Sequence, residues 1–162
     1  MKIAIISDIH DNLANLEKCL DICRAERIET LLCCGDVTNR ETLKFLSDNF
    51  KKKICLVRGN ADIFTDEEAS NYKNIEYLGL AGRVVLGNKN IGLCHEPFLE
   101  KYVLKNGACD MIFYGHTHKP WIDKRFSFSF VNPGTLGGVF QAATFALWDS
   151  YHEEPELRML WQ

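Results

Sequence analysis

No apolar run in this sequence reaches the roughly 20 residues a membrane-spanning helix needs, so no membrane-spanning helix is expected. The first stretch has one lysine and breaks at Asp8, too early for the apolar core of a secretory leader. A cytoplasmic location is expected on that ground. Positive charge is not in surplus either: 19 Lys and Arg stand against 22 Asp and Glu, a formal net charge of −3. That balance does not favour nonspecific binding to nucleic acid or to an anionic membrane. Cys-x-x-Cys is missing, and the count of seven cysteines is odd. Five of them (Cys33, Cys34, Cys55, Cys94 and Cys109) lie in or beside apolar runs, where free cysteine behaves as a small hydrophobe. Reduced core thiols are therefore expected rather than a disulfide framework or a zinc knuckle. There is no internal repeat, linker or low-complexity segment. With 46% hydrophobic and 25% charged residues, the composition fits one globular domain over residues 1–162.

What is present is a series of short apolar runs that each stop on polar groups. Ile3 to Ile6 reads as a strand buried on both faces and ends in Ser7-Asp8-Ile9-His10-Asp11-Asn12. Leu13 to Arg27 has helical periodicity, with Asp11 or Asn12 placed to cap it. Thr30 to Cys34 is a second strand, closing on Gly35-Asp36. Glu41 to Phe50 is a second helix, and Lys53 to Val57 a third strand that closes on Arg58-Gly59-Asn60-Ala61-Asp62. This β-α-β-α-β order implies a parallel sheet covered by helices. Residues 63–74 read as a loop or short helix. Arg83–Leu86 and Ile91–Leu93 form a hairpin around Gly87-Asn88-Lys89-Asn90, and the second strand runs into Cys94-His95. A short helix over Phe98–Asn106 ends at Gly107, and Met111–Tyr114 is a strand ending in Gly115-His116-Thr117-His118. Beyond Pro120 the pattern is β: Phe126-Ser-Phe-Ser-Phe130 alternates, which predicts three phenylalanines on one core face. Ala142–Trp148 and Glu156–Trp161 close the chain as a hairpin.

The strand ends together offer Asp8, His10, Asp36, Asn60, His95, His116 and His118. All are oxygen or imidazole donors, and in open α/β sheets ligands gather at such ends. Asp8 and His10, two apart on an extended segment, would leave the backbone on the same side. The fifth histidine, His152, lies beside Glu153 and Glu154 and reads as surface. Seven donors exceed what one tetrahedral zinc needs, so two divalent ions are expected. The mixture of His, Asp and Asn suits manganese, iron, cobalt, nickel or zinc more than magnesium or calcium.

These residues fall in five ordered blocks: SDIHD (7–11), GD (35–36), GNAD (59–62), His95 and GHTH (115–118). In this the chain resembles the calcineurin-like metallophosphoesterases, and NPGT (132–135) is similar to the turn that follows the blocks in their small prokaryotic members. The resemblance spans nearly the whole chain. It implies an α/β fold, a two-sheet β-sandwich flanked by helices, and a di-metal hydrolase site. It also implies that Asp36 bridges the ions, that Asp8, His10 and His118 complete one, and that Asn60, His95 and His116 complete the other. The nucleophile would be a metal-bridging hydroxide acting on a small phosphate ester.

One position departs from the family pattern. Many members have histidine directly after the metal-binding asparagine, where it helps protonate the leaving oxygen; here it is Ala61. General acid help is typically worth roughly 10²–10⁴-fold, so poor alkyl leaving groups suffer most and a phosphodiesterase is favoured over a monoesterase. Asn60, and with it Arg40 or Arg58, are the candidate substrate contacts. The alternative is a catalytically weak or inactive scaffold for protein binding, as in the retromer subunit of the same fold. Phe126, Phe128, Phe130, Trp148 and Trp161 leave open a face for homo-oligomerisation.

Overall fold

The structure is a computed structural model that describes residues 1–161. Its first half runs β1 (Lys2–Ile6), α1 (Leu13–Ala25), β2 (Thr30–Cys33), α2 (Arg40–Asn49), β3 (Lys53–Leu56), α3 (Asp66–Ser70) and β4 (Ile75–Tyr77). The second half runs β5 (Ala81–Leu86), β6 (Lys89–Cys94), a 3-10 turn (Pro97–Leu99), α4 (Glu100–Leu104) and β7 (Met111–Phe113). It finishes with β8 (Trp121–Lys124), β9 (Ser129–Asn132), β10 (Thr144–Asp149) and β11 (Glu156–Met159). One mixed sheet has the order β11-β10-β1-β2-β3-β4, the other β5-β6-β7-β9-β8. The expected β-α-β-α-β start is there, with β1, β2 and β3 parallel and Ile3 opposite Thr30, which is opposite Lys53.

Alternation along β1 explains the layering. Ile3 and Ile5 point to the second sheet and meet Val84, Ile91, Leu93, Met111 and Phe113 in an apolar layer between the sheets. Ala4 and Ile6 point the other way, into a core made with Leu16 and Leu20 of α1 and Leu43 and Leu46 of α2. A third cluster seats Leu99 and Val103 on Ile112, Tyr114 and Phe130, on the far face of the second sheet. The result is the predicted sandwich of two mixed sheets flanked by helices. Burying both faces of β1 explains why it reads as a continuous apolar run.

Local chemistry sets the boundaries. The Asn12 side chain accepts from the Asn15 amide at the start of α1, and Asn39 does the same for α2. Residues 63–74 hold a short helix, α3, started by a Thr65/Glu68 capping box. The helix expected to reach Arg27 stops at Ala25, and Arg27 has a left-handed φ of 58°. The β5–β6 hairpin turns on Gly87 and Asn88, both with positive φ, as a two-residue turn between right-twisted strands requires.

The Phe126–Phe130 reading is corrected. Phe126 is fully exposed because residues 125–128 form the β8–β9 turn, where the Arg125 amide donates to the Phe128 carbonyl. Only Phe130 is core. Phe130 and Trp148 are buried and cannot serve a self-association face, whereas Phe126 and Trp161 stay exposed. The Trp161 indole donates to Asn15 and the Lys18 ammonium lies over its ring. Among the described residues no helix is long and apolar enough to cross a membrane.

Candidate metal centre

The donors come together at the carboxyl ends of the parallel strands, but not on extended backbone. Asp8, His10, Asp36, His116 and His118 all have φ between 47° and 68°, the left-handed region that non-glycine residues rarely enter. The extended-segment expectation for Asp8 and His10 is therefore wrong. Tight turns after β1, β2 and β7 aim these side chains inward. Their hydrogen bonds hold the strain: the Ile9 and His10 amides donate to the Asp36 carbonyl, and the Asp8 amide to that of Gly35. Two glycines allow the loops to meet. A Cβ on Gly59 would lie 2.1 Å from Asp36 Oδ1, and one on Gly35 would lie 2.6 Å from the Gly59 amide nitrogen. Any larger residue would push apart the loops that carry Asp36 and Asn60.

All seven predicted donors form one connected array. At one end His10 Nε2 and His118 Nε2 are 3.1 Å apart, and His118 Nε2 lies 3.2 Å from Asp8 Oδ1. His10 Nε2 lies 3.8 Å from both Asp8 Oδ1 and Asp36 Oδ2, so Asp36 reaches this end too. At the other end His95 Nε2 is 3.4 Å from Asp36 Oδ2. Asn60 Oδ1 is 3.0 Å from His95 Nε2 and 2.7 Å from His116 Nδ1. Two donor trios, Asp8–His10–His118 and Asp8–Asp36–His95, each keep their ligand atoms within 4.8 Å of one another.

Two imidazoles are oriented from behind. His95 Nδ1 donates to the Cys34 carbonyl at 2.7 Å and His118 Nδ1 to the Val139 carbonyl at 3.0 Å. A carbonyl can only accept, so Nδ1 carries a proton in each ring and Nε2 is the nitrogen that faces the carboxylates, the one available to a metal. The Asp8 carboxylate accepts from the His116 amide at 3.1 Å.

The electrostatics call for cations. Asp8 and Asp36 are buried, and among the described residues their only ion-pair partners are histidines. Burying a carboxylate is costly without a full opposing charge. Burial pushes the Asp8 carboxyl above its usual value despite the opposing pull of His95. At Asp36 burial acts the same way, yet the His95 hydrogen bond and charge and the Ala61 amide outweigh it and hold that carboxyl low. Burial depresses the His95 imidazole, but Asp36 and Asp8 override it and the net shift is upward. Two acids, four imidazoles and an amide oxygen in one array fit a pair of divalent ions.

The other sequence candidates lie outside the array. Arg40 is exposed, pairs with Glu41 and Glu68, and lines a depression of about 330 Å³ with Asn39, Ile63 and Phe64. Arg58 holds Asp66 and the Asp62 carbonyl. The Ala61 amide donates to Asp36 Oδ1 at 2.8 Å, which puts this residue at the edge of the array. His152 is exposed, as expected.

Sequence reasoning assigned no role to three supporting residues. The buried Asp62 carboxylate accepts from the amides of Gly59 (2.7 Å), Thr38 (2.7 Å) and Asp36 (3.2 Å), tying the β2 and β3 loops together. Thr135 Oγ1 donates to the Asp8 carbonyl, and the Asn132 amide to the Gly115 carbonyl. The signal for Asp62 lay in its place within GNAD and that for Asn132 and Thr135 in NPGT, although both of these act on partners more than ten positions away in the chain.

Comparison with known proteins agrees with this geometry. The family model described as the calcineurin-like phosphoesterase superfamily domain matches residues 1–152. Phosphodiesterase MJ0936 of Methanocaldococcus jannaschii is 29% identical over 150 residues, covering 85% of this chain and 86% of that protein. Among solved structures, one described as a novel archaeal phosphodiesterase superposes with a TM-score of 0.85 at 24% identity, covering 98% of this chain and 99% of that one. A Vps29 from Entamoeba histolytica superposes at 0.71 with 24% identity, over 92% of this chain and 86% of that one. At those identities the two superpositions speak for the fold alone.

Proposed function

The chain belongs to the calcineurin-like phosphoesterase superfamily, and from that premise we propose that it is a phosphodiesterase working with two divalent metal ions. The observation that carries this is the continuous donor array, in which two buried carboxylates meet, among the described residues, no charged partner but histidine. In this reading Asp8, His10 and His118 would hold one ion, Asn60, His95 and His116 the other, and Asp36 would serve both. When bound, such a pair supplies Lewis acidity, lowering the pKa of a shared water and offsetting charge on the phosphate oxygens. Manganese is the ion proposed; nickel, iron, cobalt and zinc suit the same donors.

The chain's own groups do the positioning. Asp62 fixes the Asp36 and Asn60 loops relative to each other. Asn60 turns its carbonyl oxygen to the imidazoles, which leaves its amide nitrogen to donate to a phosphate oxygen. Arg40, beside the Ile63 depression, is the second proposed substrate contact. Ala61 supplies no proton to a leaving group, which favours diesters with good leaving groups over alkyl monoesters. The net charge of −3 favours a small phosphodiester over a polymer. Free thiols throughout the core fit a reducing compartment, the cytoplasm. The second reading, a protein-binding scaffold, draws on Ala61 and on the likeness of fold to Vps29.

The test is Asp36→Ala. Loss of bound manganese together with loss of aryl phosphodiester hydrolysis supports the proposal. A variant that keeps both would refute it.

A further inference from the structure

We propose that Phe140 is a stacking platform for a flat aromatic group, so that the phosphodiester cleaved at this site carries a nucleoside. The inference rests on the phosphodiesterase reading above and names its substrate class. Phe140 lies in the loop between β9 and β10, 93% exposed as a residue and with its φ at +62°. Each feature is disfavoured: a bulky side chain is strained in the left-handed region, and an apolar ring gains nothing from water. Scattered exposed aromatics are ordinary on protein surfaces, but this one sits beside the metal donors. Its ring centroid is 6.3 Å from that of His118, with the planes 24° apart.

The loop is anchored to the centre rather than free. The Val139 carbonyl, one residue before Phe140, accepts the His118 Nδ1 proton. The Gly137 amide donates to the Asp8 carbonyl and the Leu136 amide to that of Ser7. The Asn12 side chain donates to the Gly137 carbonyl. The groups that orient His118 and Asp8 thus also fix the backbone from which the ring projects. A phosphate held at the His10–His118 end of the array would bring its ester group alongside this ring. A nucleobase offers a π face to match, and an alkyl group does not. Because every base has such a face, the platform discriminates nucleoside from alkyl rather than one base from another.

Thymidine 5′-p-nitrophenyl phosphate and methyl p-nitrophenyl phosphate release the same phenolate and differ only in the group retained. With manganese-loaded protein the nucleoside ester is expected to show a KM about tenfold lower, the scale of one base–aromatic stack. Phe140→Ala should abolish that ratio and Phe140→Trp should preserve it. Equal KM values in the unmodified protein, or a ratio that survives Phe140→Ala, would overturn the proposal. Calorimetric titration with thymidine 5′-monophosphate and with inorganic phosphate reads the same preference without turnover. A roughly tenfold preference that Phe140→Ala removes upholds the platform even if neither ester is cleaved, an outcome that overturns only the phosphodiesterase reading. Equal binding of the two ligands overturns the platform itself.

Discussion

Asp62 is not one of the predicted metal donors, yet it should be among the residues the centre can least do without. Its carboxylate accepts three backbone amides, those of Gly59, Thr38 and Asp36, across two loops. Replacing it with alanine removes all three bonds at a buried position and leaves amides without partners. Each unsatisfied buried donor costs about 1–3 kcal/mol. Part of that is returned, because the carboxylate is itself held at a cost: burial pushes Asp62 up and the Thr38 and Gly59 amides recover only part of it. A net loss of about 3 kcal/mol follows, equivalent to a fall in Tm of about 6–12 °C for a chain of this size. The loop that presents Asp36 should also lose its register with Asn60, so bound manganese should fall below two ions per chain. Thermal unfolding monitored by circular dichroism, with elemental analysis of the manganese-loaded variant, reads both effects. Asp62→Asn keeps one oxygen to accept and should fall between the two. Unchanged Tm and full metal content in Asp62→Ala would refute the idea that this carboxylate clamps the loops.

Ala61→His places an imidazole at the edge of the array, where the Ala61 amide already meets Asp36. It should raise turnover of an alkyl phosphomonoester by about 10²-fold and change aryl diester turnover far less, read as the ratio of the two rates. Chelation should lower Tm, because ions that bind only the folded chain stabilise it by about 2.7 kcal/mol at a hundred times their Kd; an identical Tm with manganese and with chelator would contradict the centre. The thiols offer a separate check. All seven are free and buried, and burial pushes Cys55 and Cys94 up to about 12. None should react with a thiol-disulfide reagent at pH 8 in the folded protein, and all seven should react on denaturation, as measured by released chromophore.

The donors were legible in the sequence because polar residues interrupt short apolar runs, and that contrast survives folding. The layering was legible for a related reason: β1 and β2 are buried on both faces, which a continuous apolar run records. Other features left weaker traces. β4 is an edge strand of three residues with only Ile75 buried, too short to carry a pattern. The Phe-Ser alternation at 126–130 imitated a strand, but chain reversal after β8 won and put Phe126 in water. Left-handed backbone at Asp8, His10 and Asp36 has no compositional signature, since these residues also sit well in ordinary turns. The supporting bonds from Thr135 to Asp8 and from Asn132 to Gly115 join distant segments and become visible only once both sheets are in place.

The most direct test of the central claim is metal stoichiometry by elemental analysis, with bis-p-nitrophenyl phosphate turnover measured on the same manganese-loaded sample. The account predicts about two ions per chain and turnover that a chelator abolishes. Two ions without turnover would contradict the enzymatic reading and leave the scaffold. One ion or none would contradict the two-ion centre itself.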